Sequence, residues 1–318
     1  MYNVSNYMTK ELMSIDCNST IFDAIKLMRE NSTGSILVKE NDAFVGIFTE
    51  RDLLNKLNIN STDGLESLKV SSVMTGDLKT SNYDDSYTDV IDSMQKHNIR
   101  HMPIVKDGQI VGIVSLRDLL SHYHENLNHL LKETVAALSS AVEKRDPYTA
   151  GHQQRVTQLA SAIAKEMGLS ERQVSGVNMA AVIHDVGKMY IPAEILNKPG
   201  KLEDAELTLI KIHPQVGFDI LKGIEFPWPI AQIVLEHHER INGTGYPQGL
   251  TGDKILFEAK IICVADVVEA MASHRPYRPA LGIDVALGEV IQNKGVLYDA
   301  AIVDACCKVF KEKGFKFK

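Results

Sequence analysis

The chain repeats itself. Met8-Thr9 recurs as Met74-Thr75, and the same offset of 66 carries Ile25 to Ile91, Met28 to Met94, Gly46 to Gly112 and Asp52 to Asp118. GIFTERDLL (46–54) thereby aligns without a gap on GIVSLRDLL (112–120). So many identities at one offset mark a duplicated structural unit. Each copy reads as short strand, helix, strand, strand, helix. Thr20 and Ser86 start helices whose apolar faces are Ile21, Ala24, Ile25 and Met28 in one copy, and Val90, Ile91 and Met94 in the other. SILVKENDAFVGIFT and MPIVKDGQIVGIVS each read as two β-rich runs joined by a polar turn. One such sheet is too small to close a core, so the copies are expected to pack together.

From Leu116 to Glu143 there is no Pro or Gly, and Leu127, Leu130, Leu131, Thr134, Val135, Leu138 and Val142 follow helical spacing. One continuous helix is expected. Its narrow stripe suits a seam between two protomers or docking against its own domain. His122, His124 and His129 on this helix are expected on an exposed polar face.

The second half reads as a series of helices. Gly151-His152 leads one with Val156, Leu159, Ala160, Ile163 and Met167 on one face, ending at Gly168. Ser170 caps the next, whose apolar face runs through Val174, Val177 and Ala181 to Asp185. Asp204 is expected to cap a third helix that carries His213. Pro227 and Pro229 precede a fourth that leads to His237 and His238, and Asp266 follows Ala259 and Ile262 on a fifth. A carboxylate continuing an apolar stripe must be paired or metal-bound, because burying it bare is costly. Five of the eleven histidines thus join two aspartates as the nitrogen and carboxylate set of a polynuclear metal site. A single histidine of this kind is usually satisfied within a core; this many together call for a cation.

Composition narrows the partners. A net charge of −7 argues against a nucleic-acid polymer, while a small anionic ligand needs only local positive charge. The four cysteines lack CxxC spacing and suit reduced thiols. No apolar run approaches the roughly 20 residues of a membrane helix, and the first residues lack a signal-peptide pattern. A cytoplasmic protein without membrane partners is expected.

Each repeat resembles a CBS domain, most sharply in its G-I-x-[ST]-x-x-D ending, and residues 8–122 resemble a CBS pair. DPYTAGHQQRV, HDVGK, HHERINGTGYP and VADVVEAM…RPYR, in that order, resemble the HD superfamily of phosphohydrolases, and specifically its HD-GYP branch of cyclic di-GMP phosphodiesterases, over roughly 135–318. The resemblances imply an α+β pair of β-α-β-β-α units (1–66 and 67–122), a helical connector (116–147) and an all-α domain (148–318). They imply metal ligation by His152, His184, Asp185, His213, His237, His238 and Asp266, with Asp185 bridging two divalent ions, iron or manganese first. Lys188 would hold a phosphate oxygen in the transition state, and Arg275 and Arg278 would grip substrate phosphates. Gly243, Gly245 and Tyr246 would shape the loop beside the guanine-ribose end; a plain turn with a packed tyrosine is the alternative.

In the CBS pair, Thr49 and Asp52, and Ser115 and Asp118, would meet the ribose of an adenine nucleotide (AMP, ADP or ATP). The same four residues serve equally as helix caps. Some departures stand out. Asn242 and His274 occupy positions where this branch usually has Asp, and Tyr148 stands where some members place a carboxylate for a third metal. Two ions and a pGpG product, rather than GMP, are therefore expected. The activity expected is cyclic di-GMP hydrolysis by a homodimer, regulated by the adenine nucleotide. The rival expectations are a phosphohydrolase of another cyclic nucleotide, a catalytically silent cyclic di-GMP receptor, and a protein whose main role is adenylate sensing.

Overall fold

In the computed structural model, strand β1 (Ser14–Asp16), helix α1 (Ile21–Glu30), β2 (Ser35–Glu40), β3 (Ala43–Thr49) and α2 (Glu50–Lys56) form the first repeat. Then β4 (Ser81–Asn82), α3 (Tyr87–Lys96), β5 (His101–Lys106), β6 (Gln109–Ser115) and α4 (Leu116–Arg145) form the second. The described residues are 3–56, 65–145, 151–274 and 279–317. Each repeat builds a three-stranded sheet, β1-β2-β3 or β4-β5-β6, with its first pair parallel and its second antiparallel. Even the register shift recurs, between Val38 and Lys39 and between Ile104 and Val105.

The identities that revealed the repeat have a packing reason. The leading segment of each copy crosses to the other copy's sheet, so Thr75 bridges Ile47 on β3 and Thr9 bridges Ile113 on β6. Met74 then lies over Gly46 and Met8 over Gly112. A Cβ at Gly46 would come within 2.7 Å of the Met74 sulfur, and one at Gly112 within 2.3 Å of the Met8 sulfur. Methionine and glycine therefore recur as pairs, because a larger residue at either glycine would displace the crossing strand. Thr20 caps α1 in a reciprocal box with Asp23, and Ser86 caps α3, as expected.

The chain divides into compact units at His129/Leu130, a point inside α4. Of the apolar stripe on α4, Val135 and Val142 are buried in the core of the second unit, whereas Leu127, Leu130 and Leu138 are exposed. His124 and His129 are exposed, and the His122 ring rests on Tyr7.

Helices and 3-10 turns joined by loops build the second unit, with no named strand among its described residues. It comprises α5 (His152–Glu166), α6 (Glu171–Ile183), the short α7 (Ala193–Leu196), α8 (Asp204–Ile210), α9 (His213–Leu221), α10 (Ile230–Glu236), α11 (Phe257–Ala272), α12 (Ile283–Gln292) and α13 (Ala300–Lys311). Its core is built from the faces expected, with Val156, Leu159, Ile163, Val177, Ala181, Ile233, Ala259 and Ile262 all fully buried.

Three boundaries differ from expectation. Glu203, not Asp204, is the cap of α8, because Glu206 accepts the Glu203 backbone N–H at 2.8 Å and ties it in place. The helix α6 ends at Ile183, so His184 and Asp185 lie just beyond it at the start of a 3-10 turn, Val186–Tyr190. His213 does not continue α8 but opens α9. In one unbroken helix the amide of residue 214 would bond the carbonyl of Ile210, and Pro214 has no amide proton. The His213 ring Nδ1 takes that carbonyl instead, at 2.8 Å.

Candidate metal centre

Seven side chains converge where α5, the Val186–Tyr190 turn, α9, the end of α10 and α11 meet. His152, His184, Asp185, His213, His237 and Asp266 are buried, and His238 is partly covered. His152 Nε2 lies 3.2 Å from Asp266 Oδ1. The Asp185 carboxylate is shared: Oδ1 lies 3.3 Å from His213 Nε2, while Oδ2 lies 3.5 Å from His184 Nε2. The ligand-type atoms fall into overlapping groups that could hold a metal ion: His213, His237 and His238; His152, His184 and Asp266; and His184, Asp185 and His237. Asp185 thus spans the two histidine clusters.

The approach of these elements depends on two glycines. A Cβ on Gly187 would come within 1.9 Å of the His213 carbonyl oxygen and 2.6 Å of the Gly217 nitrogen. A Cβ on Gly217 would meet Val234 of α10 at 2.8 Å. The turn that follows Asp185 therefore packs main chain against main chain on the first turn of α9.

Ring orientation is set by the backbone. His184 Nδ1 bonds the carbonyl of Ala181 at 2.8 Å, His213 Nδ1 that of Ile210 at 2.8 Å, and His237 Nδ1 that of Val234 at 2.6 Å. A carbonyl only accepts, so each Nδ1 carries the proton and each Nε2 presents a lone pair. His213 Nε2 and His237 Nε2 then face each other 3.3 Å apart. Burial drives His213 down to about 4, against the pull of Asp185, and burial with the neighbouring His184 and His213 drives His237 down to about 3. Both rings are neutral near pH 7, so two acceptors confront each other with no proton between them. A cation satisfies that arrangement, and the donor set fits a divalent metal.

Several residues around the cluster were not singled out in the sequence. Glu269, fully buried and one turn beyond Asp266, accepts the Nδ1 proton of His152 and also bonds Arg155 Nε at 2.7 Å and the Ser273 hydroxyl at 2.6 Å. Burial alone would raise its carboxyl; the bonds from His152, Ser273 and Arg155 hold it down at about 2. Glu239 accepts from the backbone N–H groups of Gln248, Gly249 and Leu250, and Glu236 from that of Leu256. The readable signal was position: Glu236, Glu239 and Glu269 each continue an apolar helical face, as Asp185 and Asp266 do.

Lys188 Nζ lies 2.6 Å from Asp185 Oδ2. Burial would raise Asp185, but Lys188 foremost outweighs it and holds the carboxyl well below the usual range. Tyr246 stacks on His238 with ring centroids 4.7 Å apart, and Lys211 sits over the Tyr246 ring at 5.5 Å. Burial raises the Tyr246 phenol, so it stays protonated. Gly245 is required by close approach, since a Cβ would come within 2.4 Å of the Glu239–Arg240 backbone, and Gly243 adopts a φ of 83°. Asn242 Oδ1 accepts from Thr244 and closes the turn. Arg275 and Arg278, with Tyr148, lie outside the described residues.

The HD domain family matches residues 136–302, and the CBS domain family matches 4–59 and 70–125. The cyclic di-GMP phosphodiesterase response regulator RpfG of Xanthomonas campestris is 43% identical over 176 residues, covering 55% of this chain and 47% of that protein. A cyclic di-GMP phosphodiesterase of Thermotoga maritima is 41% identical over 184 residues, covering 57% and 50%. The 3'3'-cGAMP-specific phosphodiesterase 3 of Vibrio cholerae is 38% identical over 159 residues, covering 50% and 35%. The chain spans half or less of the length of these relatives. Among the described residues, no helix is long and apolar enough to cross a membrane.

Proposed function

Because the chain belongs to the HD domain family and carries two CBS domains ahead of its HD region, we propose that it is a metal-dependent phosphodiesterase. In this reading it opens cyclic di-GMP to pGpG under the control of an adenine nucleotide on the CBS pair. The observation that carries the reading is the facing Nε2 pair of His213 and His237, 3.3 Å apart, beside the shared carboxylate of Asp185. His152, His184, His213, His237, His238, Asp185 and Asp266 would hold two divalent ions, with Asp185 between them. Nitrogen and oxygen donors without thiolate suit iron or manganese. When bound, the ions would supply Lewis acidity and activate water for in-line attack on phosphorus.

The chain's own groups do the rest. Lys188 exchanges Asp185 for a phosphate oxygen and offsets charge as it develops. Arg275 and Arg278 hold the substrate's phosphates, which their forked geometry fits. Tyr246, pressed on His238 and held by the Glu239-anchored loop with Gly243 and Gly245, borders the guanine-ribose end. Buried Glu269 fixes His152 through its Nδ1 proton. The protein works in the cytoplasm as a homodimer, and the exposed Leu127, Leu130 and Leu138 on α4 support pairing of two chains.

The relatives named as cyclic di-GMP phosphodiesterases support this substrate, and the one named for 3'3'-cGAMP makes that dinucleotide the competing reading. The test is turnover of both dinucleotides by anaerobically purified protein loaded with iron or manganese, with His184→Ala as control. Release of pGpG that vanishes in the variant is expected. A faster rate on 3'3'-cGAMP would exchange the substrate. No turnover by protein that retains its metal would leave a receptor.

A further inference from the structure

The two carboxylates that the repeat places in equivalent positions are not in equivalent states. Asp52 is fully engaged. Its Oδ2 accepts from the Thr49 backbone at 2.9 Å and hydroxyl at 2.7 Å. Its Oδ1 accepts from the Thr75 hydroxyl at 2.9 Å and pairs with Lys56 Nζ at 2.8 Å. Lys56 also donates to the Met74 carbonyl and the Thr75 hydroxyl, both at 3.0 Å, so it is fastened over the carboxylate. In the second copy Ser115 still bonds Asp118 Oδ2, at 2.7 Å, but Asp118 is exposed and, among the described residues, no hydrogen bond or ion pair engages its other oxygen. The position equivalent to Lys56, at the offset of 66, is His122. It turns away, against Tyr7 and toward Glu125.

A cavity in this unit follows the same division. A space of about 1500 Å³ is lined by Ser115 and Asp118, whereas Thr49, Asp52 and Lys56 are not among its walls. It offers an apolar wall at Leu12, Met13 and Ile25, a free carboxylate oxygen on Asp118, and guanidinium groups on Arg29, Arg100 and Arg117. Those are the partners of a flat base, a ribose diol and a phosphate chain respectively.

We infer that the CBS pair takes one nucleotide per chain, on Ser115 and Asp118, and that Lys56 permanently closes the equivalent place on Thr49 and Asp52. This rests on the adenine-nucleotide reading above and deepens it: the repeat is symmetric in fold and asymmetric in use. The first carboxylate serves as a strut that ties α2 to the crossing Met74-Thr75 segment, and its ligand-binding capacity is consumed by that role. The three arginines make a phosphorylated ligand the fitting class.

The test is titration calorimetry of the full chain with ATP, ADP and AMP. One equivalent per chain is expected, with Asp118→Asn weakening binding at least tenfold and Lys56→Met leaving affinity within about threefold. Asp118 is exposed, so its variant retains the fold; an unchanged circular dichroism spectrum checks this. Two equivalents in the parent chain, or binding that survives Asp118→Asn, would overturn the one-site inference while leaving the nucleotide reading intact. No binding of any of the three nucleotides by protein that still turns over substrate would overturn both.

Discussion

Glu269 accepts the proton of His152 Nδ1 with its carboxylate, whereas the Nδ1 atoms of His184, His213 and His237 bond backbone carbonyls. A carboxylate behind a metal-binding imidazole fixes the ring and raises its basicity. Glu269→Gln keeps the shape and removes the charge. It is expected to weaken Mn(II) binding by about 10–100-fold, measured by equilibrium dialysis, with the circular dichroism spectrum unchanged. Parent-like affinity would assign Glu269 to the core alone.

Gly187→Ala puts a methyl group 1.9 Å from the His213 carbonyl oxygen. Backbone cannot rotate away as a side chain can, so a loss of about 3 kcal/mol or more is expected in urea unfolding. Gly288, on α12 with nothing within 4 Å of an added Cβ, is the control; Gly288→Ala is expected to be neutral or to stabilise by up to about 1 kcal/mol.

Burial would raise the Asp52 carboxyl, but the bonds from Lys56, Thr49 and Thr75 outweigh it and hold it below the ordinary range. A carboxylate depressed in the folded state stabilises that state above its unfolded value of about 3.9. That contribution fades as pH falls through the folded value. The stability difference between the parent and Asp52→Asn should therefore be full at pH 7 and shrink below about pH 4. Chemical denaturation followed by circular dichroism at both pH values measures it; a difference that grows in acid would reverse the sign and refute the assignment.

The end of α4 is fastened to the turn that carries Lys188. Arg145 donates to the carbonyls of Met189 and Ile191, and Asn197 donates to the Arg145 carbonyl. Arg145→Ala should loosen Lys188 without touching the histidines. A fall in kcat of about 5–10-fold is expected from losing one such interaction of about 1 kcal/mol, with KM and metal content nearly unchanged. Loss of metal together with kcat would mean that the turn as a whole had moved.

Much of this was legible in the sequence, for reasons the structure supplies. The offset of 66 was visible because the crossing segments demand methionine against glycine twice. The histidines and aspartates stood out because each interrupts an apolar face. What was illegible depended on long-range partners. The break before His213 follows from Pro214, yet only the ring-to-carbonyl bond shows how the helix restarts there. Glu269 reads as an ordinary helical acid until His152 and Arg155 arrive from more than a hundred residues away. The state of Asp52 was hidden for the same reason: Lys56 is near in sequence, but Thr75 comes from the other copy, and both are needed to close it.

The contact between the Val186–Tyr190 turn and the start of α9 is made by main-chain atoms, with Gly187 and Gly217 removing the side chains that elsewhere keep elements apart. Rotamers can adjust a gap between side chains; no rotamer adjusts this one. The spacing between the backbones that carry Asp185 and His213 is therefore a ruler cut in main chain. In the metal centre proposed above, whatever adjustment an ion demanded would fall to the two side chains, while the scaffold beneath them kept its spacing.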